Sequence, residues 1–206
     1  MQNKNNQTNF DEYFLFILLL VVDLIIFYTN TNVFLFHKVN SLNIYLPDKI
    51  MRLFNYVASS YNYVLIVLLP TITILFKPKK IFRVIVALAL YYIVVSLIKN
   101  NAHVARPYMV LDQGTFYFLK EKYNYMADGY HSFPSGHTSL MSVFIFSINT
   151  LFFRNNIYMR LLLILLIFLT AIIRIASGFH WPIDVITGIL IGYLIVKVSF
   201  NTLNSK

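Results

Sequence analysis

Three stretches of the sequence carry residues whose types and spacing could do chemistry. KNNAHVARP holds Lys99 and Arg106, HSFPSGHTSL holds Ser135, Gly136 and His137, and RIASGFHWPID holds Arg174, His180 and Asp184. His180 and Asp184 are four apart, so on one helical turn the carboxylate reaches back to the imidazole. Such a contact fixes the tautomer and raises the basicity of the other ring nitrogen, the orienting role found in nucleophile–base–acid sets. Pro-Ser-Gly ahead of a helix leaves the N–H groups of Ser135, Gly136 and His137 pointing outward, and such a terminus attracts anions. Gly136 also permits close backbone approach. Three cations and two histidines of this kind need an anion to justify them, and a phosphate fits. Nothing in the pattern forms a carboxylate cluster for a metal, and no cofactor motif is present.

The elements that must position these residues are membrane helices. The chain has 206 residues, 58% of them hydrophobic and 12% charged, with a mean hydropathy of +0.66. Soluble domains carry roughly twice that charged fraction. A helix needs about 20 apolar residues to cross the hydrocarbon core. Six segments come close: about 12–29, 55–76, 81–98, 137–153, 160–178 and 183–200. Residues 30–54 mix apolar and charged types and predict one or two interfacial helices. The expected fold is therefore all-α, a six-transmembrane helix bundle with short interfacial helices, forming one domain over 1–206. The polar ends, 1–10 and 201–206, read as frayed tails. The first apolar stretch lacks a basic leader and a cleavage site, so it reads as an uncleaved span.

The net charge is +9, but the basic residues are spread over short loops between apolar runs. Anionic lipid and topology account for that pattern, and nucleic acid does not. The absence of cysteine removes disulfides, thiolate nucleophiles and cysteine zinc sites. Lys77, Lys79, Lys80 and Arg83 mark one cytoplasmic loop, and Arg154 and Arg160 mark another. Both termini then lie inside, and 30–54, 99–136 and 179–182 lie outside. With that topology the three reactive stretches reach the same face at one depth. Lys99 stands about 27 Å along a helix begun near residue 81, and Arg174 about 20 Å along the fifth span.

Snorkelling to the interface accounts for Lys197, Lys120 and Lys122. It serves poorly for Arg174, because an ionisable group within a span costs about 2.5–3.5 kcal/mol and usually faces a cavity or a partner. His103 and His131 read as rim residues of the outer loop, and Asp23 as a structural group facing the bundle with a hydrogen-bond partner. The aromatic stretch FYFLKEKYNYM, 116–126, reads as interfacial.

Taken in order, Lys99-x6-Arg106-Pro107, Pro134-Ser135-Gly136-His137 and Arg174-x5-His180-x3-Asp184 resemble the three-part signature of the type 2 phosphatidic acid phosphatase superfamily. The chain is similar to its small six-span bacterial lipid phosphatases, and the motif region runs over 81–200. Ile173 stands where the family usually has serine. The resemblance implies that His180 is the nucleophile, held by Asp184, and that His137 is the general acid. It also implies that Lys99, Arg106 and Arg174, with Ser135 and the Gly136 amide, bind the phosphate oxygens without a metal.

The implied function is hydrolysis of a phosphate monoester on a membrane lipid, through a phosphohistidine, at the extracytoplasmic face of a bacterial inner membrane. Lipid A is the first choice of substrate, with phosphatidylglycerol phosphate and undecaprenyl diphosphate as alternatives. A lipid-to-lipid phosphotransferase would use the same residues. A non-catalytic phosphate-binding membrane protein is disfavoured by the complete residue set. The implied partners are the phosphorylated lipid and the bilayer, with no obligate protein partner. The topology makes a first prediction: a cysteine placed within 115–130 reacts with an impermeant thiol reagent applied outside, and one at 78 or 155 does not. The reverse labelling would put the site in the cytoplasm.

Overall fold

The computed structural model describes residues 2–57, 64–112, 114–119 and 129–201, with the backbone alone at 2–12 and 201. Lys120, Lys122 and the 120–126 part of the aromatic stretch lie outside the described residues. Among the described residues the regular elements are helical. They are α1 (Gln2–Thr29), α2 (Asn32–Asn40), α3 (Asp48–Val57), α4 (Val64–Phe76), α5 (Ile81–Ala102), α6 (Pro107–Val110), α7 (Gly136–Ile148), α8 (Ile157–Ala176) and α9 (Pro182–Asn201). The helix α1 runs back to Gln2, through residues expected to be frayed. Short helical turns follow α2 at Ser41–Tyr45 and α7 at Asn149–Phe153.

The expected count of six spans is not reached among the described residues. Four helical segments are long and apolar enough to cross a membrane: Pro78–Val110, Gly136–Phe153, Ile157–Ala176 and Pro182–Phe200. A fifth is reached if Tyr13–Thr29 and Asn32–Tyr45, which meet at 113°, count as one. Of the expected 55–76 span, the described residues are those up to Val57 and those from Val64. Residues up to Val57 belong to α3, and α4 has 13 residues, about 20 Å of helix against a core of about 30 Å. Asn55 is buried together with Met51 one turn earlier, so these residues serve the amphipathic α3 and not a lipid-facing span.

The bundle has two distinct ends. At one, Phe76 packs edge-on to Phe152 at 6.4 Å, the Lys77 ammonium lies 6.0 Å from the same ring, and Arg83 donates to the Phe200 carbonyl. The two basic loops and the end of α9 therefore share a side. Lys197 stands over Tyr13 and Tyr193, its charge held by ring faces. At the other end, Asn40 donates to the carbonyls of Tyr117, Ile175 and Ala176 and accepts from the Tyr117 N–H. An apolar cluster of Met51, Tyr108, Leu119, Ile173, Ala176 and Phe179 closes that end. In the last two turns of α1, Asp23 accepts from the Thr187 hydroxyl at 2.7 Å, which ties α1 to α9.

The helices α7 and α9 approach most closely where α9 has glycine. A Cβ at Gly188 would meet the Ser135 carbonyl at 2.9 Å, and one at Gly192 would meet Ser142 Cβ at 2.4 Å and the Ser139 carbonyl at 2.8 Å. Small residues on both helices let the backbones touch, as is common where apolar helices associate in lipid. This contact matters for the site, because it seats the start of α9 against the start of α7. Gly192→Leu is predicted to destabilise the bundle by at least the roughly 1–3 kcal/mol typical of overpacking. The expected readout is a lower thermal midpoint in detergent, and an unchanged midpoint would contradict the contact.

Candidate active site

The turn between α8 and α9 builds the centre of the site. Gly178 takes a left-handed φ of +79°, where a Cβ would strike the Tyr117 carbonyl at 2.7 Å. Pro182 then starts α9, where a missing N–H costs nothing. Between them His180 points inward at 1% exposure, and Asp184 is fully buried. Asp184 Oδ2 lies 3.3 Å from His180 Nδ1 and accepts from the Trp181 N–H at 2.9 Å and the Ser132 hydroxyl at 2.5 Å. With the Nδ1 proton facing a carboxylate, Nε2 keeps its lone pair. Trp181 is itself fixed, since its ring N–H donates to the Ala105 carbonyl.

The PSGH segment packs onto this centre. Ser135 caps α7: its Oγ accepts from the Thr138 N–H and lies 3.0 Å from the Thr138 hydroxyl. One expectation is corrected here. The Ser135 N–H does not point outward to an anion but donates to the Asp184 carbonyl at 2.9 Å. The close approach of α9 places a backbone acceptor against it. Gly136 and His137 occupy the first turn of α7, where amides have no partner within the helix. A Cβ at Gly136 would stand 3.6 Å from Lys99 Cε and 3.7 Å from the Tyr91 hydroxyl. Those are ordinary contacts, so the glycine leaves room beside the lysine. His137 is half-buried, and its ring contacts the Asn55 backbone.

Three cations approach from three elements. Lys99, in the last turn of α5, donates to the His131 carbonyl at 2.5 Å. Arg106 follows the left-handed His103 that ends α5 and donates to the Phe179 carbonyl at 3.3 Å. Arg174, in the last turn of α8, donates to Asn55 Oδ1 at 2.6 Å and lies with its guanidinium 4.5 Å from the Phe179 ring centre. Arg106 and Arg174 are both buried, at 6% and 3% exposure. Burial, and then the charges of Arg106, Arg174 and Lys99, push the His180 imidazole well below its ordinary pKa. The shift favours the neutral ring, while an anion-attracting field surrounds it.

The structure thus brings Lys99, Arg106, Ser135, Gly136, His137, Arg174, His180 and Asp184 to one end of the bundle. His103 and His131 sit at the rim, ring centres 6.3 Å apart, and His131 meets Lys99 through its carbonyl. Ile173 is fully buried in the apolar cluster with Met51. Among the described residues, no group of three or more histidines, cysteines or acids could hold a metal ion. Sequence reasoning passed over four residues: Ser132, Asn55, Phe179 and Tyr91, whose hydroxyl donates to the Gly136 carbonyl at 3.2 Å. Ser132, three before Ser135, was within reach of a local reading. Asn55 and Tyr91 gave no local signal.

A neutral, carboxylate-oriented imidazole, a second imidazole and a ring of cations can attack, protonate and charge-stabilise a phosphoryl group. Known proteins carry the same arrangement of helices. The chain is similar to LpxE of Aquifex aeolicus, with 26% identity and a TM-score of 0.69 over 82% of this chain and 93% of that one. It also shares the fold of a transmembrane PAP2-type phosphatidylglycerolphosphate phosphatase from Bacillus subtilis. There the identity is 16% and the TM-score 0.66, over 92% and 94% of the two chains. No curated protein sequence matches the chain significantly. The model of the PAP2 superfamily matches residues 80–206, more than half of the chain and all three reactive stretches, and the chain therefore belongs to the PAP2 superfamily as an integral membrane phosphatase.

Proposed function

We propose that this phosphatase hydrolyses a phosphate monoester of a membrane lipid, releasing inorganic phosphate, at the extracytoplasmic face of a bacterial inner membrane, with lipid A as the first choice of substrate. The observation that carries the reading is the pairing of His180 with Asp184 inside a ring of three cations at one end of an apolar bundle. A phosphate group held there would lie at the end of the spans, where lipid headgroups lie. The likeness to LpxE supports lipid A, and the basic loops at the opposite end of the bundle support the orientation.

The chemistry proceeds in two displacements. Lys99, Arg106 and Arg174, with the Gly136 amide, hold the phosphate oxygens, while Ser135 caps the helix that supplies the amide. His180 Nε2 donates its lone pair to phosphorus, and the bond from phosphorus to the lipid oxygen breaks. His137, protonated once the dianion is bound beside it, gives its proton to that leaving oxygen. Asp184 stabilises the charge that develops on the His180 ring. Water then attacks the phosphohistidine, His137 takes the water proton, and the P–N bond breaks to release inorganic phosphate. The cations do here what a divalent ion does in other phosphatases, and positioned charge supplies most of the acceleration.

The test is phosphate release by purified protein from a panel of lipid A, phosphatidylglycerol phosphate and undecaprenyl diphosphate. Release from lipid A that survives EDTA and falls with orthovanadate is expected. Activity lost to EDTA and restored by one metal would contradict the cation-only site. The two histidines separate on leaving-group acidity. General acid catalysis contributes about 10²–10⁴-fold, and less where the leaving group needs no proton. With p-nitrophenyl phosphate, His137→Ala should recover part of its loss and His180→Ala none. The opposite pattern would exchange the two roles.

A further inference from the structure

Asn55 lies in α3, outside residues 80–206 that carry the family signature, yet its side chain ends in the site. The residue is 4% exposed. Its Oδ1 accepts from Arg174 Nη1 at 2.6 Å, its Nδ2 donates to the Ser177 hydroxyl at 3.3 Å, and its backbone meets the His137 ring. Both ends of the carboxamide are thus engaged, which fixes its orientation. The helix is seated by Met51, four residues earlier on the same face and fully buried in the cluster with Ile173, the neighbour of Arg174. The Phe179 ring also packs against the guanidinium, its centre 4.5 Å from Arg174 Cζ.

From this geometry we infer that Asn55 is a positioning residue for the phosphate site, aiming the Arg174 guanidinium at the bound anion and placing α3 over His137. The inference deepens the proposed function and rests on that reading for the identity of the anion. A neutral acceptor suits the task. A short hydrogen bond to one Arg174 nitrogen holds the fork while leaving its full positive charge for phosphate oxygens. A carboxylate at the same place would hold the fork equally well but would neutralise it. The outer segment between α1 and α4 therefore does more than lie at the interface: it completes the anion site built by α5, α7, α8 and α9.

The experiment compares Asn55→Asp and Asn55→Ala with the unaltered full-length protein in detergent, reading orthovanadate affinity from the thermal shift it induces and from inhibition. Asn55→Asp has the same shape and keeps an acceptor for Arg174, so it should melt at or above the midpoint of Asn55→Ala. It should nonetheless bind orthovanadate at least about tenfold more weakly than the unaltered chain, the scale expected where one charge-assisted contact is altered. Asn55→Ala should lose affinity as well, because the fork is no longer held. A merely structural hydrogen bond predicts that Asn55→Ala lowers the thermal midpoint but keeps its orthovanadate affinity. Affinities within twofold of the unaltered chain for Asn55→Asp would overturn the inference, even if Asn55→Ala fails to fold. The lipid panel is read separately: an unaltered chain that binds orthovanadate but releases phosphate from no lipid would count against the proposed substrate class and leave the Asn55 comparison intact.

Discussion

The site depends on how one oxygen of a buried carboxylate is satisfied. Asp184 touches no solvent, and an ionised carboxylate in such a place is tolerable only when it is hydrogen-bonded and sits near positive charge. Its Oδ2 gathers the His180 ring, the Trp181 N–H and the Ser132 hydroxyl, and its backbone carbonyl takes the Ser135 N–H. One residue therefore ties the α8–α9 turn to the segment that opens α7. Those ties require the starts of α7 and α9 to touch, which Gly188 and Gly192 allow. The catalytic geometry is thus a consequence of helix packing, with the polar network as its outer edge.

The same packing explains how cations are concentrated in an apolar protein. Lys99, Arg106 and Arg174 each have a neutral oxygen as a partner, from His131, Phe179 and Asn55 respectively. Neutral partners hold the side chains without cancelling their charge. The cost of gathering like charges falls when a dianion binds, so the arrangement suits phosphate. The Phe179 ring beneath Arg174 adds favourable contact. Burial and the same cations push the His180 imidazole well below its ordinary pKa, which suits the nucleophilic role proposed for it.

Much of this was legible in the sequence because it depends on local spacing. A separation of four between His180 and Asp184 matches about one helical turn, and proline at 182 marks where the helix begins. The basic loops 77–83 and 154–160 fixed which ends of the helices lie together. What the sequence did not show arises from contacts between distant elements. The Ser135 N–H was expected to face an anion, and only the approach of α9 shows that Asp184 takes it. The segment 55–76 reads as one apolar run, yet Asn55 belongs to α3 because its partner is Arg174, far along the chain. The bend of 113° between Tyr13–Thr29 and Asn32–Tyr45 sits at Asn30, whose backbone is left-handed, and α2 beyond it is held through Asn40 to the end of α8. Periodicity alone does not report such contacts.

The central claim is that His180, oriented by Asp184, takes the phosphoryl group. The most direct measurement is rapid denaturing quench during turnover of radiolabelled lipid phosphate, at alkaline pH where phosphohistidine survives, followed by peptide mapping. The account predicts label on the peptide carrying His180, more of it in His137→Ala when an acidic leaving group is used, and none in His180→Ala. Label retained by His180→Ala, or found on His137, would contradict it.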